Sequence, residues 1–417
     1  MLMLEARPTG VWADETAVRG PVPAIWRQLA LVSLTFALVD GFGAYTLLFA
    51  LTPMKYIAVQ ATLLLATLIV SPPRSLSRVF LPITSLLFVG WWLLSYTWDS
   101  NRSGWISASS RDLATIIAIV VVAQVLGRDD FVRCLLRSGY IAIGLIFFAL
   151  AVQPGSAYSS AGPVPGLHGG FIHKNTMAPC LLLMASTVLC MHPSRAFRRG
   201  FVALVAVLLI LGDTTTGLAT LVMLLLVNWL LSGYKGLVGR LGRSAGSLLM
   251  AASLVATLVG AELFASVVLL SGKDLTFSSR TVIWQGVTKA ISHRVWRGYG
   301  YGVWENLWSE PVRSINVHNG FLVAHAHNAA LDLMLRLGAI GLALYVLILL
   351  STLRSGWRGL MRDDGFGRLT LLYCAIIVSF GFSEALPAYG LWPALLIVFT
   401  TLSRSTAPPT TTSRATS

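Results

Sequence analysis

The reading of one stretch decides the fold: His325-Ala326-His327-Asn328-Ala329-Ala330-Leu331-Asp332-Leu333-Met334-Leu335-Arg336-Leu337-Gly338-Ala339-Ile340-Gly341. Before it lies the only long polar segment of the chain. Within it the chain turns apolar and stays so. The polar segment, from Ser271 to Asn328, carries His293, His318, His325 and His327, and it interleaves cations with aromatic rings from Arg280 to Arg313. A bilayer-crossing helix needs about 20 apolar residues, and 329–351 supplies such a run. The pattern is a polar loop feeding a membrane span.

Composition extends that reading to the whole chain. Charged residues make up 12% and the apolar set 55%, where a soluble domain carries about 25% charged residues. Most of the surface must therefore face lipid. Apolar runs at 28–50, 53–71, 81–98, 112–127, 135–153, 176–192, 200–213, 215–232, 246–270, 329–351, 367–384 and 388–403 read as about twelve transmembrane helices. Gly212 to Gly217 separates two of them by only a tight turn. The expected class is an all-α polytopic membrane protein with one long loop. Residues 1–27 read as a cytoplasmic tail without a cleavable signal peptide. Residues 28–270 hold nine spans, 271–328 the loop, 329–403 three more spans, and 404–417 a disordered tail.

The net charge is +14. In a soluble protein this would suggest nucleic acid; here basic loops on the cytoplasmic side explain most of it. With the N-terminus inside, Arg74, Arg78, Arg128, Arg133, Arg137, Arg195, Arg198 and Arg199 fall in inner segments. The 154–175 and 271–328 loops then face outward, and their cations break the positive-inside rule. An anionic substrate is the reason offered for them, and no nucleic-acid partner is expected. The four cysteines lie mostly in apolar runs and do not read as a disulfide framework.

Two segments carry candidate chemistry. In the first, His173-Lys174-Asn175-Thr176 precedes an apolar run, so Asn175 or Thr176 is a natural helix cap. Lys174 beside a helix N-terminus suits a phosphate, or it simply snorkels to the interface. In the second, Ser278 or Ser279 precedes a helix expected to begin near Arg280. Arg280 and Trp284 share a face four residues apart. The guanidinium either offers its fork to a diphosphate or stacks on Trp284. The aromatics from Trp296 to Trp308 suit sugar rings or lipid headgroups equally. Gly298, Gly300 and Gly302 mark a turn-rich stretch.

His318, His325 and His327 do not share one helical face, and Asp332 would lie inside the next helix, so no metal site is expected. His327 stands where loop meets helix, as a neutral base or merely as a cap.

His327-Asn328 followed by Gly338 and Gly341 resembles the loop-to-helix motif of the O-antigen ligase and O-antigen polymerase superfamily of bacterial membrane glycosyltransferases. Ser279-Arg280-Thr281 with Trp284, then Arg297-Gly298-Tyr299-Gly300-Tyr301-Gly302, resembles the same superfamily, most closely its exopolysaccharide polymerases. His173-Lys174-Asn175 is similar to an earlier motif of that group. The resemblance implies a GT-C-like helical fold in the bacterial inner membrane, both termini cytoplasmic, with the long loop as a periplasmic lid. It implies His327 as base and Arg280 as pyrophosphate ligand. It also implies a substrate-binding role for Lys174, His173, Asn175, Trp284, Arg297, Tyr299 and Asn328. No cofactor is implied. The implied partners are a lipid-linked glycan donor and acceptor and the membrane lipid, with a chain-length regulator as a further candidate. A polymerase of undecaprenyl-pyrophosphate-linked repeat units is the leading expectation. A ligase acting on lipid A core or protein is the second, and a flippase the third.

Overall fold

The computed structural model describes residues 24–41, 61–62, 65, 79–159, 166–171, 173–241, 275–362, 364–385 and 390–404. Nearly all of the span expected at 53–71, the whole of that at 246–270, nearly all of both tails and the first residues of the long loop lie outside the described residues. Within them the chain is helical: α1 (Ala24–Gly41), α2 (Ile83–Leu94), α3 (Arg102–Leu126), α4 (Arg128–Val152), α5 (Lys174–Met191), α6 (Arg195–Leu211), α7 (Thr215–Leu241), α8 (Leu275–His293), α9 (Val312–Asn319), α10 (Ala329–Met361), α11 (Gly365–Ser383) and α12 (Leu391–Arg404). A two-residue antiparallel pair, Tyr158–Ser159 with Gly166–Leu167, is the strand pairing among the described residues.

Six of these helices, α3, α4, α5, α7, α10 and α11, are long and apolar enough to cross a membrane. They fall where the apolar runs were read, although α3 begins ten residues before the run at 112. The excess is polar sequence, Arg102 to Arg111, which Asn101 starts by accepting the Gly104 N–H. Large apolar side chains such as Ile117, Phe147, Phe148, Ile210, Trp229 and Leu350 stand exposed on the helices. Water would penalise that surface, and a bilayer does not. The α6–α7 connection is the expected tight turn: Gly212 ends α6, and Asp213 takes a positive φ of 48°.

Helix α10 packs against α11, α12 and α2. Its 33 residues would extend about 50 Å if unbroken, but the helix breaks at Gly338, with φ 69° and ψ −172°. That region of backbone space belongs essentially to glycine. The break frees carbonyls that apolar surroundings cannot solvate, and the polar segment satisfies them. Tyr299 N–H donates to Leu335 O at 2.8 Å, and Gly300 N–H donates to Arg336 O at 2.9 Å. The Trp91 indole N–H donates to Leu337 O at 2.9 Å. In return, Ala339 N–H donates to Val295 O at 2.7 Å.

The glycine-rich stretch is turn-rich, as read, with Gly298 and Gly300 at positive φ, and it docks into the helix break. A Cβ at Gly338 would collide with the Trp296 carbonyl, and one at Gly298 with the Arg336 carbonyl. Gly338→Ala is expected to cost at least the ~1–3 kcal/mol of the forced backbone conformation. Its membrane level and thermal midpoint in detergent should drop together. A wild-type midpoint would count against this account of the break.

Candidate active site

Glu384 sits just past the C-terminus of α11 and is 3% exposed. A carboxylate so buried needs partners, and the chain brings them from three distant segments. Arg280 on α8 donates from Nη2 to Glu384 Oε1 at 3.0 Å. The Asn175 amide on α5 donates to the same oxygen at 2.6 Å. His327 Nδ1 lies 3.4 Å and His325 Nε2 3.9 Å from Oε2. The His327 approach is an ion-pair distance without hydrogen-bond geometry, and Nδ1 makes no other hydrogen bond. The two imidazole rings lie 4.0 Å apart.

The local reasons are legible. Helix α8 begins at Leu275, so Arg280 lies in its second turn rather than at the expected first. Its face still points with that of Trp284, whose indole N–H donates to Ala326 O at 3.0 Å and whose ring meets Phe382 edge-on. Helix α10 is capped by Asn328, whose side-chain oxygen accepts the Leu331 N–H and whose amide donates to Phe382 O. The cap is thus Asn328, and His327 is left free of that task. His327 holds a positive φ of 49°, uncommon for a residue with a side chain and frequent where geometry serves a site. Helix α5 is capped by His173, not by Asn175 or Thr176: His173 Nδ1 accepts the Asn175 N–H at 3.2 Å. That nitrogen must be unprotonated to accept. Burial, aided by Lys174, His168 and His325, pushes the His173 imidazole below its ordinary value against the pull of Glu384.

Burial alone would push the Glu384 carboxyl up. His325, His327 and Arg280 together outweigh it and hold the group well below the usual carboxylate range. Glu384 is therefore ionised, and the cluster reads as one anion facing a guanidinium and two imidazoles.

The structure gathers His173, Asn175, Arg280 and His327 here, with Trp284 and Asn328 holding the backbone around them. It does not gather the other expected residues. Lys174 opens α5, but its Nζ turns to Asp213 Oδ2 at 3.8 Å. The Tyr299 hydroxyl donates to Ala290 O, and its ring carries Arg294 at 4.7 Å. Arg297 is exposed, and its backbone carbonyl accepts the Trp98 indole N–H. Arg336, inside the span that follows the loop, is buried and paired with Asp332 at 2.7 Å.

His318 stands exposed on α9, away from the other two histidines considered for a metal. Glu384 supplies a carboxylate instead: it brings one donor atom each from His325, His327 and itself within 4.8 Å. Three such donors are a zinc-like set. Arg280 already balances that carboxylate, and a dication placed there would meet the guanidinium at short range. The arrangement suits proton transfer and anion binding better than metal ligation.

A bundle of apolar helices with a charged cluster at one end of α11 defines a membrane protein with an enzyme-like site. Residues 200–346, the segment that holds Arg280, His325 and His327, match a family model described as O-antigen ligase, which supports assignment of the chain to the O-antigen ligase and polymerase superfamily. The assignment indicates a membrane enzyme of glycosyl transfer, of the ligase or polymerase type. No curated protein matches the chain. Glu384, His173 and Asn175 lie outside the matched segment and join the site through the fold.

Proposed function

We propose that this protein polymerises oligosaccharide repeat units carried on undecaprenyl pyrophosphate into a surface or secreted polysaccharide. It works without a metal at the periplasmic face of a bacterial inner membrane. The observation that carries this reading is the convergence of Arg280, His325 and His327 on buried Glu384.

The chemistry follows from that geometry. A glycosyl pyrophosphate brings its own leaving group. As the anomeric C–O bond breaks, the pyrophosphate departs with the electron pair and its negative charge grows. Arg280 spends one donor on Glu384 Oε1, and a guanidinium has five, so others remain to stabilise that charge in a partly dry site. The acceptor hydroxyl oxygen forms the new bond to the anomeric carbon, and its proton passes to His327 Nε2. Glu384, beside Nδ1, stabilises the imidazolium that results. Trp296 and Trp308, exposed on the same polar segment, offer flat apolar faces to sugar rings.

The matching family model is described as O-antigen ligase, and that favours a second reading, in which a finished glycan is moved to lipid A core or to a protein. One experiment separates them. Purified protein in liposomes receives a lipid-linked repeat unit in the presence of a chelator. A ladder of products with release of undecaprenyl pyrophosphate is expected. Transfer only when lipid A core is added would indicate the ligase, and no transfer to either acceptor would end both readings. In the same assay Lys174→Met should stay within about threefold of wild type, because its charge is shared with Asp213 in a solvent-reached pair. A loss as deep as that of an Arg280 variant would return Lys174 to the pyrophosphate.

A further inference from the structure

His325 and His327 flank a single residue, Ala326, whose backbone N–H and C=O are both held, one in each of the two peptide units that join the histidines. The Ala326 N–H donates to Asp332 Oδ1 at 3.2 Å. The Ala326 carbonyl accepts the Trp284 indole N–H at 3.0 Å. Ala326 itself is fully buried, as is Asp332. The clamp has a further anchor. Asp332 Oδ2 accepts from Arg336 Nε at 2.7 Å. Arg336 Nη1 donates to the Tyr301 carbonyl, and its guanidinium lies 4.9 Å over the Tyr301 ring. The Tyr301 hydroxyl donates to Asp112 Oδ2 on α3 at 2.7 Å. A chain of buried polar contacts thus runs from a transmembrane helix to the backbone of the residue between the two histidines.

We infer that Asp332 and Trp284 are positioning residues that fix the backbone between His325 and His327, so that both rings stay against Glu384. The inference rests on the glycosyl-transfer reading for its consequence, but not for the clamp itself. Three features support it. His327 sits at φ 49°, a conformation that surrounding structure must hold in place. The two hydrogen bonds come from different helices, α10 and α8, so the Ala326 backbone is fixed against both. Trp284 lies one turn from Arg280 on α8, so the element that places the guanidinium also places the histidines. The indole N–H is thereby committed to the backbone rather than to a sugar. Arg336, without an anionic ligand to bind, gains a role: it holds the Asp332 carboxylate in the orientation that meets the Ala326 N–H.

The test separates clamp from catalysis. Hydrogen–deuterium exchange is followed on the full-length protein in detergent, over the peptides covering 322–328. Asp332→Ala removes one hydrogen bond but strands Arg336 and threatens folding. Trp284→Phe keeps the ring against Phe382 and removes only the N–H, so it decides the matter if the first variant does not accumulate. Exchange over 322–328 should quicken about tenfold in either variant, the scale of one hydrogen bond, while α10 and α11 exchange as in wild type. In the liposome assay Trp284→Phe should lower kcat about tenfold with KM for the lipid-linked donor held within about twofold. Combined with His327→Ala, it should cause no further loss. Unchanged exchange over 322–328 overturns the clamp, whatever the activity. Faster exchange with wild-type kcat overturns its service to catalysis. If wild-type protein transfers no glycan, the functional reading fails alone, and exchange still decides the clamp.

Discussion

His327→Ala should reduce glycan transfer by about 10²–10⁴-fold, the contribution expected of a positioned general base. The protein should still reach the membrane in normal amount. The ring is only partly buried, and its removal leaves no new buried charge without a partner, because Glu384 keeps Arg280 and Asn175. The effect should lie in kcat rather than in KM, since the imidazole acts on the acceptor proton as the bond forms. Arg280→Ala should also abolish product, but with a different signature: the donor pyrophosphate loses its ligand and Glu384 loses a buried counter-charge, so stability falls as well. His325 makes the comparison sharp. It faces the same carboxylate oxygen from 3.9 Å, against 3.4 Å for His327, and lacks the positive φ that sets the His327 ring. His325→Ala should cost less. Near-normal transfer by His327→Ala beside an inactive His325→Ala would move the base to His325.

How far the sequence reveals this site depends on whether each residue sits in a local pattern. Arg280, Trp284 and His327 are legible because a polar stretch in an apolar chain is conspicuous, and because residues four apart on a helix face one way. The start of α10 is legible for the same reason: Asn328 followed by an apolar run is a helix cap. The break at Gly338 is not. Its cause is the turn-rich stretch 295–300 docking alongside, and only the fold pairs those segments. The pairing of Asp332 with Arg336 is missed although it is local: Asp332 reads only as lying inside the next helix, and the i, i+4 pair they form neutralises both.

Glu384 is missed altogether. It stands as a lone acid at the end of an apolar run, the place where a span merely stops. One signal was present. The segments read as outer carried excess cations, and an acid at the outer end of a span is a natural counter-charge for one of them. The chain does not say which, because Arg280, Asn175 and Glu384 come from α8, α5 and the end of α11 and meet only in the fold.

The centrality of Glu384 predicts a second large effect. Glu384→Ala leaves Arg280 and the Asn175 amide without the carboxylate oxygen they share. Removing one partner of a buried ion pair costs ~3–5 kcal/mol, somewhat less here because Arg280 keeps a solvent-exposed edge. The thermal midpoint in detergent should fall by several degrees or more, and Glu384→Ala combined with Arg280→Ala should recover part of that loss, since the stranded charge is gone. Glu384→Gln keeps the shape and an acceptor but not the charge, so it should hold stability better than alanine while still lowering kcat, because the His327 imidazolium loses its counter-ion.

Acid supplies the complementary evidence. The folded carboxyl titrates below the ordinary glutamate value, and the unfolded one near 4.3. Below that pH the unfolded chain binds a proton that the folded chain refuses, so stability present above it drains away as pH falls. Wild type should therefore lose thermal midpoint on acidification more steeply than Glu384→Gln. Parallel acid slopes would mean that Glu384 is not held as a charged group, and with it would go the argument that a fixed anion organises Arg280 and the two imidazoles.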